Sequence, residues 1–279
     1  MKKDICSTQD YLVSGETFSI RWDESKGFAA TYPQPDADKL GLYYESDAYI
    51  SHNESQQSVV GFLYRFARRY MFRVKHKMFK KLLPADATIL DYGCGTGGFL
   101  EYTSSQSYRS FGVETSANAR EQATRKNLAV VESWENLAQE KFNLISMWHV
   151  FEHVSDLDHC VQEIHNRLDI NDILLIAVPN LNAFDAIHYA EFWAAFDVPR
   201  HLWHFSQRGI KQLIEPNGFE LIAQHPLILD ALYIAYVSEK HKNSRFPLTK
   251  GIFRGLQSNW KAKKTGEYSS LVYLFRKTK

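Results

Sequence analysis

The chain has 279 residues, 44% of them hydrophobic and 23% charged, which is the composition of a folded globular protein rather than a disordered one. Lys plus Arg number 33 and Asp plus Glu 32, for a net charge of +1, which argues against a protein built to coat nucleic acid. Cys6, Cys94 and Cys160 lie far apart and form no CxxC pair, so neither a disulfide framework nor a structural zinc site is expected. The length suits one large α/β domain with an appendage.

The N-terminal residues Met1-Lys2-Lys3-Asp4 lead into polar sequence without the apolar core of a signal peptide. The longest near-apolar run, Leu227 to Val237, is 11 residues and contains Asp230, too short to cross a bilayer. The expectation is a soluble, cytoplasmic protein. The near-zero charge is an average over unlike segments. Residues 1–60 carry −5, 61–83 carry +8, 84–235 carry −11, and 236–279 carry +9.

In chain order, Thr17 to Trp22 alternates like a strand, and Thr31-Tyr32-Pro33-Gln34-Pro35 is an extended break. Residues 55–83 read as a helix with Phe62, Leu63, Phe66, Tyr70, Met71, Val74 and Met78 on its apolar face, closed by Pro84. A β/α alternation follows. Strands are predicted at Thr88–Asp91, Tyr108–Glu114, Ala129–Val131, Phe142–Trp148, Ile173–Val178, Phe219–Ala223 and Leu271–Arg276. Helices are predicted from about Gly98, over Ser116–Lys126 with Ser116 as N-cap, over 156–168, and over Gln207–Asn217 up to Gly218. Such alternation implies a mostly parallel sheet covered by helices on both faces.

The most informative stretch is Ile89-Leu90-Asp91-Tyr92-Gly93-Cys94-Gly95-Thr96-Gly97-Gly98-Phe99. A buried strand runs into a turn of four glycines and then a helix, at the sheet end where open α/β folds bind ligands. Glu114, 23 residues after Asp91 at the end of the next strand, can accept hydrogen bonds from both ribose hydroxyls of a nucleoside. The turn is not the dinucleotide pattern: Gly93-x-Gly95-x-Gly97 replaces GxGxxG.

With Asp91 two residues ahead, the turn resembles motif I of class I S-adenosylmethionine-dependent methyltransferases. Three further stretches resemble the branch that holds ubiquinone-type O-methyltransferases and many bacterial sugar, lipid and natural-product methyltransferases. They are Phe142 to Val154 with its Glu152-His153-Val154, Ile173 to Asn180 with its Pro179-Asn180 turn, and Pro199 to Ser206 followed by Gly218-Phe219-Glu220. The resemblance covers about residues 85–225 well and the rest loosely. It implies a Rossmann-like, seven-stranded, mostly parallel sheet with a reversed last strand, and S-adenosyl-L-methionine as cofactor. Asp91, Tyr92, Gly93, Cys94 and Gly95 would line its methionine end and ribose, and Glu114 and Thr115 would meet the ribose. Ser133 and Trp134, next to Glu132, would cradle the adenine, and Trp148 and His149 would lie beside the methyl donor.

A hydroxyl acceptor must lose a proton, so a base near the methyl helps. His149, Glu152 and His153 follow the fourth strand of the series, and His201 lies in the loop after the fifth; these four are the candidate catalytic residues. Three roles stay open for the first three: helix capping, direct catalysis, or binding a divalent cation as in related quinone methyltransferases. His149 replaces a hard oxygen ligand there, so no metal is assigned. The string His149-Val150-Phe151-Glu152-His153 also fits the HxxEH zinc-protease pattern, which belongs inside a helix and not at a strand end. His204 is read as structural or substrate-facing, and Phe184, His188, Tyr189, Phe192, Trp193 and Phe196 as an aromatic helix, core or pocket wall.

Within an N-terminal segment expected over 1–54, residues 12–52 resemble the small zinc-binding segment and tyrosine-rich cover of long members of the branch, but Trp22 and Ser25 stand where a second cysteine pair would, so the zinc site is expected to be lost. Tyr43, Tyr44, Tyr49 and His52 are candidates to close over the site. The methyltransferase domain is expected over 55–279, with a basic insertion at about 226–266. The expected reaction is methylation of a small-molecule or glycan-related hydroxyl. The alternatives are a catalytically inactive, cofactor-binding partner subunit, or an RNA methyltransferase. The basic helix at 61–83 and the segment 236–264 are the places for peripheral membrane contact or an anionic acceptor.

Overall fold

The computed structural model describes residues 2–44, 59–138 and 141–279. The predicted Tyr49 and His52 of the cover lie outside these residues, as do residues 55–58 at the start of the predicted first helix. The N-terminal segment is an antiparallel meander of β1 (Lys2–Gln9), β2 (Thr17–Asp23) and β3 (Phe28–Tyr32), followed by one helical turn, Ala37–Leu40. Helix α1 (Val59–Phe79) then leads to β4 (Thr88–Tyr92), α2 (Gly98–Ser104), β5 (Arg109–Val113), α3 (Ala117–Thr124), β6 (Ala129–Val131) and β7 (Phe142–Trp148). After these come α4 (Leu157–Arg167), β8 (Leu168–Pro179), α5 (Phe184–Tyr189), β9 (Trp203–Phe205), α6 (Gln207–Ile214) and β10 (Phe219–Pro226). The chain ends with α7 (Asp230–His241), α8 (Pro247–Thr265) and β11 (Ser270–Lys277).

Seven strands form the main sheet in the order β10-β11-β8-β7-β4-β5-β6. β8, β7, β4, β5 and β6 run parallel, and β11 is antiparallel to both its neighbours. This is the Rossmann-like sheet with a reversed last strand. The central strands have no solvent face, so their runs are mostly apolar: Ile89, Leu90, Leu144, Ile145, Leu174 and Leu175 are all buried, and the buried polar pair Asp91 and Ser146 is the exception. Ser116 caps α3 as expected, its hydroxyl accepting from the Ala119 N–H.

Three features depart from the sequence expectation. Tyr70, placed on the apolar face of the first helix, is 57% exposed; Phe72, His76 and Phe79 turn toward the domain instead, against Phe99, Tyr102 and Tyr108. The aromatic helix at 184–196 is broken after Tyr189 by Ala190 at φ 48°, and two short 3-10 turns follow. Its Tyr189, Trp193 and Phe196 are core. The segment after β10 is a helical hairpin. Gly251 and Gly255 mark the crossing of α8 over α7. A Cβ on Gly251 would sit 2.5 Å from the Tyr236 backbone, and one on Gly255 2.7 Å from the carbonyl of Ala231.

A second sheet, β1-β2-β3-β9, joins the chain start to the loop after β8. Arg200 secures that junction. It is 1% exposed, and donates to Asp10 at 2.9 Å, to Asp197 at 2.7 Å and to the Tyr43 carbonyl at 3.0 Å. Burial alone would raise the Asp10 carboxyl, but Arg200 and the N–H groups of Ser14 and Leu12 outweigh it and hold the group below its ordinary range. Replacing Arg200 by Met leaves the buried Asp10 and the partly exposed Asp197 without that cation. Arg200→Met is therefore expected to cost about 3–5 kcal/mol in urea unfolding.

Candidate active site

The site forms at the carboxyl ends of β4, β5 and β7. Gly93 and Cys94 donate to the Val113 carbonyl at 2.7 and 3.1 Å, folding the turn back over β5. Gly93 (φ 74°) and Gly95 (φ 56°) are both left-handed, where a side chain is strained. A Cβ on Gly93 would collide with Val150, so the loop after β7 presses on the turn. A Cβ on Gly95 would meet nothing within 4 Å, so a ligand can approach that stretch of backbone. Glu114 accepts from the Gly95 N–H at 2.8 Å and from the Ser116 N–H at 2.8 Å. Each oxygen keeps a lone pair for a ligand hydroxyl.

Asp91 is buried and accepts from Ser146 at 2.7 Å. Burial pushes its carboxyl up to about 6, with Ser146 and Lys75 opposing the rise. Lys75, on α1, was missed in the sequence, where it counted as one more charge on a basic helix. Its ammonium lies 4.1 Å from the Trp148 ring centroid. Burial lowers its pKa, while Asp91 and Asp230 oppose that. The Trp148 indole N–H is buried without a hydrogen-bond partner, a donor left for a ligand.

Other predicted positions fall elsewhere. Trp134 is buried and stacked on Tyr92 at 4.4 Å and 23°. It therefore belongs to the wall behind Tyr92 and offers no free stacking face. The Cys94 thiol packs beneath β5 at Gly112. Thr115 is exposed and its carbonyl takes Arg120. Ser133 hydrogen-bonds Asn136, and Glu132 points outward to Arg120.

Beyond β7 the four candidate catalytic residues come together. Glu152 is 1% exposed and neither carboxylate oxygen has a well-formed hydrogen bond. Around it stand His149 Nδ1 at 3.5 Å, His201 Nε2 at 3.9 Å and, edge-on to His201 at 4.6 Å between rings, His153. Burial alone would raise the Glu152 carboxyl; the surrounding imidazoles outweigh it and hold it well below the usual range. His149 Nε2 lies 2.9 Å from Asp230, the first residue of α7. Burial alone would lower His149; the two carboxylates outweigh it and raise the group to about 10, so it is an imidazolium at neutral pH. Its backbone sits at φ 56°, a strained conformation for a non-glycine residue. Burial and His201 push His153 down to about 4, so it is neutral. Its Nδ1 faces the Arg200 carbonyl and the Tyr44 hydroxyl, both at 2.9 Å, which places the N-terminal segment against the site. His201 Nδ1 is 2.9 Å from the Ala195 carbonyl. His204 is buried against Thr31 and pushed by burial far below its ordinary value, a structural group.

Glu152, His153 and His201 each bring a ligand atom within 4.8 Å of the others, the one such group among the described residues. The Glu152 charge is already balanced by the His149 imidazolium, and the set has no second carboxylate. Asp230 had no mark in the sequence beyond interrupting an apolar run.

Residues 63–224, more than half of the chain, match a family described as a methyltransferase domain. The chain belongs to that family. It is an S-adenosylmethionine-dependent methyltransferase. Solved structures share the fold at low identity. An S-adenosylmethionine-dependent methyltransferase from Thermotoga maritima is 19% identical with a TM-score of 0.51, over 78% of this chain and 97% of that one. The methyltransferase bound to the Trm112 activator of Haloferax volcanii is 15% identical with a TM-score of 0.53, over 76% and 92%. A cyclopropane synthase from Mycobacterium tuberculosis is 16% identical with a TM-score of 0.50, over 72% and 83%. No curated protein sequence matches the chain.

In this methyltransferase the raised His149 gives stability that is fully present below its ordinary value near 6.5 and drains away as pH rises toward about 10. The ring edge is partly open to solvent, which screens the pair. His149→Gln is expected to flatten the loss of urea resistance between about pH 7 and about pH 9.

Proposed function

We propose that the chain methylates a hydroxyl of a small-molecule or glycan-related acceptor, in the cytoplasm. The observation that carries this reading is the line Asp230–His149–Glu152 beside Trp148, where β7 ends against the glycine turn. Free, unpaired cysteines fit a reducing compartment.

The residues present fit S-adenosylmethionine. Glu114 would hold the ribose hydroxyls and the open backbone at Gly95 the neighbouring chain of the ligand. Lys75 would pair with its carboxylate, and Asp91 with its ammonium. The cofactor supplies an electrophilic methyl on sulfur. The protein aligns the acceptor oxygen and takes its proton. Because His149 is already protonated at neutral pH, its part is to orient and stabilise. Asp230, a quarter exposed at the mouth, is the carboxylate with room to receive the hydroxyl proton. Glu152 keeps His149 charged, and His153 and His201 hold Glu152 in place.

Calorimetry with S-adenosylhomocysteine is expected to show binding, weakened about 10- to 100-fold by Glu114→Ala through lost charged hydrogen bonds. No binding by the intact protein would sink the reading. With an acceptor in hand, Asp230→Asn and His149→Gln are expected to lower kcat about 10²- to 10⁴-fold at unchanged S-adenosylhomocysteine affinity. Unchanged turnover would remove both from the mechanism. Tight cofactor binding without turnover on any acceptor would favour a partner subunit, and a salt-dependent gel shift with RNA would favour an RNA substrate.

A further inference from the structure

The helical hairpin of α7 and α8 has a face that the methyltransferase reaction does not use. Helix α8 divides into three arcs when its residues are stepped at about 100°. Gly251, Gly255, Ser258 and Ala262 form the buried arc, packed on α7. Ser258 is fixed there by Asp185 at 2.7 Å, which also takes Ser269 and Trp193, so the helix cannot roll. The adjoining arc, about 140° wide by the same stepping, carries Leu248, Ile252, Phe253, Leu256 and Trp260, between 42% and 62% exposed, with Thr249 and, in the last turn, the exposed Lys263 among them. Beyond it lies a basic arc of Lys250, Arg254, Lys261 and Lys264. Residues 240–266 hold eight Lys and Arg and no Asp or Glu.

The apolar arc continues past the helix. Asn259, which falls within it, donates to the Ile228 carbonyl at 2.8 Å. This draws in the exposed Ile228, Leu229 and Tyr233, the residues flanking Asp230 at the mouth of the site. Under the basic arc is an open cleft of about 480 Å³, with Lys242, Lys250, Arg254 and His188 in its wall together with one carboxylate, Glu239, which accepts from the Tyr189 hydroxyl at 3.1 Å. Ser244, also lining the cleft, has a buried hydroxyl without a hydrogen-bond partner. Burial holds His188 below its ordinary value; Arg254, Lys242 and Lys261 add to this and Glu239 opposes it.

An exposed apolar patch of this size on a monomeric surface needs an occupant. Two partners have to be weighed, a protein surface and a lipid surface. A wide apolar arc with Trp and Phe, bordered by Lys and Arg on one side and free of acids, is the pattern of a helix lying in a membrane interface. Among the described residues no helix is long and apolar enough to cross a membrane, so the contact is peripheral. We infer that α8 and the Ile228–Tyr233 edge dock on an anionic phospholipid surface, with lipid phosphates seated in the basic cleft and the mouth of the active site facing the bilayer. The inference rests on surface residues alone and holds whichever acceptor hydroxyl is methylated.

The test is flotation of the full-length protein with vesicles of phosphatidylcholine alone and with phosphatidylglycerol added. The protein is expected to float with the anionic vesicles only, and less so as salt rises. Leu256→Asn with Trp260→Ser is expected to abolish flotation. Lys250→Glu with Arg254→Glu is expected to weaken it at least about ten-fold. Both pairs are surface changes, so thermal unfolding and S-adenosylhomocysteine affinity should match the parent. Failure of the parent protein to float with anionic vesicles would overturn the proposal. Flotation that survives both paired changes would do the same. So would a dimer, seen by light scattering, that the Leu256/Trp260 change dissolves, since the face would then be covered by a second copy.

Discussion

Glu152 is a carboxylate almost fully removed from water, and its oxygens have no well-formed hydrogen bond. A charge in that position is tolerated only if counter-charges are brought to it. The chain brings them from far apart. His149 comes from the end of β7 in a strained conformation, and is itself held by Asp230 from the late helical hairpin. His201 comes from the loop after β8. His153 is fixed by the Arg200 carbonyl and by Tyr44 of the N-terminal segment. Arg200 then reaches back to Asp10 in the first loop. The appended segments and the central sheet therefore meet at one buried anion. They fix its charge state next to the glycine turn.

This explains why the sheet was legible in the sequence and the rest of the site was not. The strands β4 to β8 and their helices announce themselves through local periodicity, and the glycine turn through a short motif whose reason is local. Glu114 was readable because its distance from Asp91 is set by one βαβ unit. Lys75 and Asp230 carry no such mark. Each is one charge in a helix whose inward face is chosen by packing, and the periodicity of α1 was misjudged at Tyr70. β9 was missed because three residues pair with β3 across more than 170 positions, and short strands give almost no periodic signal. α8 had no signal of its own, because Gly251 and Gly255 disfavour a helix in isolation. In the folded chain they are what lets α8 lie on α7. Trp134 misled in the opposite way: an aromatic at the right place in a motif proved to be core.

The same geometry separates two imidazoles of one loop into opposite states. His149 lies between two carboxylates and is charged, while His153, four residues on and beside His201, is neutral. Residue type at a given spacing announces neither state; the neighbours decide it. A sequence can therefore nominate histidines for proton transfer, but which one holds a proton at neutral pH follows from segments that join only in the folded chain. The fold is equally silent on the acceptor, since structures with this sheet at 15–19% identity include both a methyltransferase and a cyclopropane synthase.

Charge distribution joins these parts. The span 84–235, which holds the sheet and the glycine turn, carries −11, and 236–279 carries +9. Next to an anionic surface the first is repelled and the second attracted, and the protein's near-zero total leaves orientation as the main electrostatic effect. Helix α8 and the mouth at Asp230 would therefore face the surface. α7 runs between the two, with its basic end at Lys240 and its first residue, Asp230, on His149. One helix thus connects the basic surface to the group that the charge state of His149 depends on.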